Sequence, residues 1–455
     1  MTFIYCEKAR LIGLVILKKK MKEYVMSGNS YKWSRSILGK RTEKDLQSPQ
    51  KTLISKNNTT QDIEVSIIIP SQNRYPLNLF TLYSLELQTF NPDKMEVILI
   101  DDASTDQTKE KLLNYTPPYH FKYIFSNEKL GRAKGRNLGI RSARGRILIF
   151  LDAEMITEPD FVENHYNYHQ SKDNVIVSGA MYTKALFSCI FPDFSKRKLN
   201  TIADLAKNNQ EIYRRFQAYK TPFKEPYPLI EKSDITRKTF KDLAFKGYPW
   251  LQQITRNFDE KLTGFAFPWM VFITGNVSVC KDFIVQAGVF DGDFYHYGYE
   301  DWELGYRLNK LGAQYIVSEQ LAAYHQEHPV GERKWRETIG NFGLFTIKHH
   351  DVEVLILGLE LSGLTDLLMM NNILKEYTLL VQSNPERFQN LQEKFITILE
   401  TIILFLEVDI RHINILGASG FDTDARKQLQ EDINSIKVLN NYSNLTNFLE
   451  KIMKS

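Results

Sequence analysis

Three short apolar runs constrain the fold more than any other feature of this chain. Val65–Pro70, Glu96–Asp102 and Arg146–Asp152 are each nearly continuous in Val, Ile and Leu, and each ends in proline or acid. Runs of this length without alternation suit strands buried on both faces of a parallel sheet. Between them lie helical spacings at Leu77–Gln88 and a segment that Ser104-Thr105-Asp106 could cap and that runs through Leu113. Tyr123–Phe125 adds a short strand, and Gly131–Ile140 reads as a loop feeding a helix. Alternation of strand and helix from 64 to 170 predicts a doubly wound α/β sheet.

In such sheets ligands bind beyond the carboxyl ends of the strands. Pro70-Ser71-Gln72-Asn73, Asp101-Asp102 and Asp152-Ala153-Glu154 all fall there. Any one acid could merely cap the next helix, at about even odds; three clusters aimed at one crevice ask for a ligand. Asp152 and Glu154 stand two apart, on one side of an extended strand, where they could share a divalent cation. Carboxylate oxygens suit magnesium or manganese, whose shells are completed by substrate phosphates and water. The basic turn Arg132, Lys134 and Arg136 would meet the same phosphates. No GxxxxGK[ST] loop occurs, and no GxGxxG follows the first strand, which argues against P-loop and hydride-transfer enzymes.

Residues 185–262 break the pattern with a charged, aromatic, helical insertion. It resumes at Trp269–Cys280, strand-like around a Gly275-Asn276 kink, with a helix over 281–287. Glu300-Asp-Trp-Glu-Leu-Gly-Tyr-Arg-Leu308 reads as a helix with Glu300, Asp301 and Glu303 in its first turn. The helix dipole alone would favour acids there, by about 0.3–1 kcal/mol each. The alternative is a general base facing the crevice, with aromatic walls for a sugar. Gln314–Val317 is a further strand, and His325 and His328 sit near the end of the next, where spacing alone makes a ligand role the weaker reading.

Elsewhere the sequence is less specific. Residues 1–56 hold thirteen Lys/Arg against four Asp/Glu, so the rest of the chain is net acidic in a protein of formal charge +4. Leu11–Leu17 precedes Lys18-Lys19-Lys20, the reverse of secretory order; a solvated tail is favoured over a basic segment resting on anionic lipid. Three scattered cysteines fit a reducing, cytoplasmic setting. No run of about 18 apolar residues suggests a spanning helix. Leu355–Met370, Phe395–Leu406 and Lys427–Ile452 predict a helical C-terminal region, a candidate for homodimerisation, acceptor docking or peripheral membrane contact, with core packing the favoured use of its leucines.

Taken in order, Val65–Asn73, Ile98–Thr108, Gly131–Ile140 and Phe150–Pro159 resemble the nucleotide-sugar domain of the family 2 (GT-A fold) glycosyltransferases. Thr274–Ser278 and Gly288–His328 resemble the acceptor half of the chondroitin-polymerase, galactosyltransferase and polypeptide N-acetylgalactosaminyltransferase group. The resemblance covers roughly residues 62–350. It implies a GT-A type mixed, mostly parallel sheet flanked by helices over 61–350, with a basic extension over 1–60 and a helical domain over 351–455. It further implies transfer of a sugar from a UDP-sugar to an acceptor hydroxyl (glycan, lipid-linked or peptide), assisted by Mn²⁺ or Mg²⁺, without nucleic acid. Pro70, Gln72, Asn73, Asp102, Arg132, Arg136 and Asp152 would hold the nucleotide-sugar. Asp152, Glu154 and His325 would hold the metal. Asp301 would be the catalytic base, Glu300 its neighbour on the acceptor, and Gly275, Asn276, Tyr299 and Trp302 the sugar pocket. Gln72 replaces a common aromatic, Ala103 a glycine, Glu154 an Asp or His, and Tyr297-Gly-Tyr299 the usual Trp-Gly-Gly. An aspartate after the glutamate favours inversion. The alternative reading is an idle nucleotide-sugar-binding scaffold.

Overall fold

The computed structural model describes residues 51–55, 62–219, 223–329, 334–410 and 414–454. The basic tail before residue 51, with its lysine run and the Leu11–Leu17 segment, lies outside them. Two compact units are present, one from Gln47 to Trp335 and one containing residues 336–454. The division falls inside the helix Lys334–Lys348, upstream of the boundary at 350.

Among the described residues fourteen strands run in chain order: β1 Lys51–Ser55, β2 Val65–Ser71, β3 Met95–Asp102, β4 His120–Ser126, β5 Ile147–Leu151, β6 Met155–Thr157 and β7 Val175–Ser178. They continue with β8 Lys184–Leu186, β9 Cys189–Ile190, β10 Tyr227–Pro228, β11 Ala244–Phe245, β12 Asn276–Cys280, β13 Gln314–Val317 and β14 Ala323–Gln326. The main sheet has the order β1-β4-β3-β2-β5-β12-β7-β13. Its β2, β3, β4 and β5 are parallel, while β12 runs antiparallel to β5 and β7, and β1 antiparallel to β4. This is the mixed, mostly parallel α/β sheet that the sequence predicts. Val65, Ile67–Ile69, Val97–Ile100 and Ile147–Leu151 are inaccessible to solvent, as strands covered on both faces must be.

Register explains how distant residues meet. Ser71 pairs with Asp101 in the parallel β2–β3 ladder, so both strands end at one edge. Because β12 is antiparallel, its first residue, Asn276, pairs with Leu151, the last of β5. Gly275 thereby arrives beside Asp152 from the opposite chain direction.

Three local expectations change. The helix after Gly131 begins at once, Arg132–Ser142; the Asp102 carboxylate accepts the Leu130 and Gly131 N–H groups (2.5 and 3.1 Å), which fixes the chain ahead of the first turn. The 269–280 segment is a strand only from Asn276. Pro268 instead opens a 3₁₀ turn, Pro268–Val271, as its fixed φ and missing N–H favour. The helix expected from Ser104 onward forms only over Thr108–Leu112, because Asp106 accepts the Tyr75 and Thr108 N–H groups in the preceding turn.

The insertion is not wholly helical. Helices Lys196–Ala206, Gln210–Ala218 and Pro249–Asn257 accompany the two-stranded sheet β10-β9 and the outer strands of a second sheet, β11-β8-β14-β6. Leu186, Ile202, Ile212, Leu229, Ile235 and Phe240 form its core against Leu77, Phe80, Ile156 and Tyr324.

Within the C-terminal unit, the apolar stretch at 355–370 is broken by Gly363 at φ +72° into Leu357–Leu361 and Leu367–Ser383. Tyr377 stacks on Phe395 of Gln389–Glu407 at 4.9 Å, and Phe395 meets Phe448 of Ser443–Met453 edge-on. No described helix is long and apolar enough to cross a membrane.

Candidate active site

One acid just past a strand end, Asp152, and one acid of the helix Glu300–Lys310, Glu300, converge on one arginine. Arg136 lies one turn after Arg132 on its helix, so both face the crevice, while Lys134, between them, is exposed. Arg136 is only 1% exposed. Its Nη1 donates to Glu300 Oε1 at 2.9 Å, and its Nη2 lies 3.8 Å from Asp152 Oδ1. Residues 152 and 300, on different halves of the sheet, are thus joined through one guanidinium. Its Nε is buried without a hydrogen-bond partner. Arg132 stands over the Tyr297 ring at 4.7 Å. Burial works against its charge, but Glu300 and Asp152 hold its pKa above the ordinary arginine value.

The three acids of the first helical turn have different fates. Glu303 forms a two-pronged ion pair with Arg307 one turn on, both contacts at 2.7 Å, and is structural. Glu300 accepts from Arg136 and from the Gly298 N–H at 3.0 Å. Asp301 accepts only the Trp302 N–H at 2.9 Å, and no described Lys or Arg pairs with it. Burial and the adjacent Glu300 charge push its carboxyl up to about 7, against the pull of Arg136. A carboxylate near neutrality and partly exposed is suited to accept a proton.

A second cluster gathers Glu154, His325 and His328, whose ligand atoms lie within 4.8 Å of one another. Glu154 Oε1 meets His328 Nε2 at 3.1 Å and Glu154 Oε2 meets Arg74 Nε at 3.1 Å. Burial would raise the Glu154 carboxyl, yet Arg74 and His328 hold it well below the ordinary range. Behind His325, Tyr248 Oη lies 2.9 Å from Nδ1 and 2.7 Å from Glu327 Oε1, so the far ring nitrogen is left toward Glu154. One carboxylate with two imidazoles fits manganese better than magnesium, which prefers an all-oxygen shell. Asp152 is not in this cluster; it sits against Arg136 and Gly275 instead. A Cβ on Gly275 would come within 3.1 Å of Asp152 Oδ2, so a side chain there would crowd that carboxylate.

Aromatic rings pack together beside Asp301. Trp302 packs in parallel with Trp250 (5.8 Å, 26°) and edge-on with Trp269 (6.1 Å) and Tyr299 (5.3 Å). Tyr299 adopts φ +65° just before the helix, a left-handed conformation that is costly for a bulky residue and that holds its ring against Trp302.

Other residues singled out by sequence are engaged elsewhere. The Asn73 side chain accepts the Thr105 N–H (2.8 Å), tying the loops after β2 and β3 together. Asp102 holds the loop before Arg132. The Asn276 amide is spent on the Leu321 carbonyl (2.7 Å) and His165 (3.1 Å) and is fully buried. Pro70 closes β2, with Gln72 directly after it. Sequence reasoning missed Arg74, Tyr248, Trp250, Trp269 and Glu327. The tryptophans carried a signal in their rarity, five in 455 residues; the others carried none.

Residues 66–227 match the family model for glycosyl transferase family 2. An uncharacterized glycosyltransferase, YfnE of Bacillus subtilis (strain 168), is 28% identical over 75% of this chain and 84% of its own length. A chondroitin synthase of Escherichia coli is 29% identical over 69% of this chain and 40% of its own length. Among solved structures, S. aureus TarS 1–349 in complex with UDP-GlcNAc aligns over 86% of this chain and 92% of that chain, at 12% identity and a TM-score of 0.43.

Proposed function

The chain carries a family 2 glycosyltransferase domain, and from that premise we propose that it transfers a sugar from a UDP-sugar to an acceptor hydroxyl, with inversion, in the synthesis of a glycan or cell-surface polysaccharide. The likeness to a chondroitin synthase over 69% of the chain supports the polymer context. One observation carries the reading: Arg136 couples Asp152, at the end of β5, to Glu300 beside the near-neutral Asp301.

In this reading Pro70, Gln72, Asn73 and Asp102 border the nucleoside, while Arg132 and Arg136 face the diphosphate. Asp152 orients the ribose or sugar in the space that Gly275 leaves. Glu154, His325 and His328 would hold Mn²⁺, which when bound supplies positive charge to the departing diphosphate. Arg74 keeps Glu154 ionised and Tyr248 fixes the His325 ring. Asp301 takes the proton of the acceptor hydroxyl as that oxygen attacks the anomeric carbon. Glu300, fixed by Arg136, lies beside it and helps keep Asp301 basic. Trp302 and Trp250 offer flat faces on which an acceptor sugar stacks.

An idle scaffold has no physical need for a raised carboxyl next to a buried ion pair, so the enzyme is favoured. The test is UDP release from a panel of UDP-sugars, with and without Mn²⁺ and with oligosaccharide acceptors. Acceptor-stimulated, Mn²⁺-dependent release from at least one donor is expected. Binding of UDP without release from any donor would overturn the reading in favour of the scaffold.

A further inference from the structure

A separate cavity of about 610 Å³ opens between β8, β11, β14 and the helix Pro249–Asn257. Tyr324 lines it, whereas the next residue, His325, belongs to the Glu154 cluster. Successive side chains on a strand face opposite sides, so one strand separates this cavity from the crevice.

Its charge is one-sided. Lys184, Lys241, Lys246 and Arg256 line it, against Glu319 as the only carboxylate of the lining. Lys241 is paired with Glu158 at 2.6 Å, but among the described residues Lys184, Lys246 and Arg256 form no ion pair. Lys184 and Lys241 both point at Tyr324, each Nζ 5.7 Å from its ring centroid. Like charges held around one cavity repel each other, and an anion relieves that repulsion. The remaining lining includes hydroxyl, amide and aromatic groups, among them Thr183, Gln252, Thr255 and Phe245. Such groups serve the hydroxyls and C–H faces of a sugar ring.

We propose that this cavity is a second binding site, for an anionic oligosaccharide whose charge is carried by carboxylate or phosphate ester. It goes beyond the reading of the crevice and does not depend on it. The helix Pro249–Asn257 links the two sites physically: Gln252, Thr255 and Arg256 line the cavity, and Trp250 stacks on Trp302.

The experiment is equilibrium binding to the full chain without donor or divalent cation, so that failure of turnover leaves the result interpretable. The probes are a glucuronate–N-acetylhexosamine hexasaccharide, glucose 1-phosphate and neutral maltohexaose. Wild type is expected to bind the hexasaccharide with an affinity that falls as salt rises. The double variant K184E/K246E is expected to bind it at least about tenfold more weakly; both lysines are exposed, so its melting temperature should match wild type. Binding of glucose 1-phosphate alone, with the same loss in the variant, would assign the charge to phosphate. Equal binding by variant and wild type, equal binding of maltohexaose, or no binding of either anion would overturn the proposal.

Discussion

Replacing Asp301 by asparagine should abolish transfer and stabilise the protein, a combination that a merely structural carboxylate cannot produce. In the native state the carboxyl is lifted from 3.8 to about 7, first by burial and then by Glu300. The native state therefore keeps a proton that the unfolded chain loses between about pH 4 and 7. Stability falls with pH wherever the native state binds more protons. The cost is absent below pH 4, grows through that window and is complete above about pH 7. At 1.36 kcal/mol per unit its ceiling is about 4 kcal/mol. Because the side chain is partly exposed, solvent screening leaves roughly half, about 2 kcal/mol. At about 2–4 °C per kcal/mol for a domain of this size, D301N should melt about 4–8 °C above wild type at pH 8 and level with it at pH 4. Wild-type turnover should rise as pH passes about 7, because only the ionised carboxylate accepts the acceptor proton. The variant should lose about 10²–10⁴-fold in kcat while binding UDP normally. Scanning calorimetry at the two pH values, with a UDP-release assay, reads both effects. Wild-type turnover in D301N, or a lower melting temperature at pH 8, would refute the assignment.

Three further outcomes follow from the same geometry. E154Q removes the one carboxylate of the Glu154–His325–His328 cluster and should weaken Mn²⁺ binding at least about tenfold, read as free Mn²⁺ by electron paramagnetic resonance; unchanged binding would place the ion elsewhere. W250A removes the ring stacked on Trp302 and should raise the acceptor KM about three- to tenfold, the equivalent of one aromatic contact, with the donor KM unchanged; a matching rise in the donor KM would assign Trp250 to the donor instead. R136M strands the buried Glu300 carboxylate and removes a contact from the partly exposed Asp152, and should destabilise by about 3–5 kcal/mol. Adding E300Q should recover much of that loss in calorimetry, whereas no recovery would show that the arginine acts chiefly through packing.

The fold was legible because it rests on periodicity. Val65–Pro70, Glu96–Asp102 and Gln314–Val317 lie in or coincide with strands for the reason that announced them: apolar runs of strand length bury both faces. What periodicity cannot carry is any effect set by a distant partner. The helix beginning at Arg132 starts early because Asp102, some thirty residues upstream, holds the N–H groups before it. Trp269 sits in a 3₁₀ turn despite a strand-like neighbourhood, because Pro268 dictates the local backbone. The edge strand β1 falls inside a segment whose composition shows only a basic tail, since its pairing with β4 depends on register and not on composition.

The site divides along the same line. Asp152, Glu154, Glu300 and Asp301 could be named because acids at strand ends and helix starts are conspicuous, and the family resemblance ordered them. Their division of labour could not, because it is decided by which cation each meets. Glu303 is drawn off by Arg307 within its own helix, Glu300 by Arg136 across the sheet, and Glu154 by Arg74 and His328. Asp301 is left as the acid of that turn with only a backbone donor, and its elevated pKa follows from that omission. The residue best fitted to accept a proton is therefore defined by its neighbours' pairings, of which Glu300–Arg136 joins two helices distant in the chain and exists only once the domain has folded.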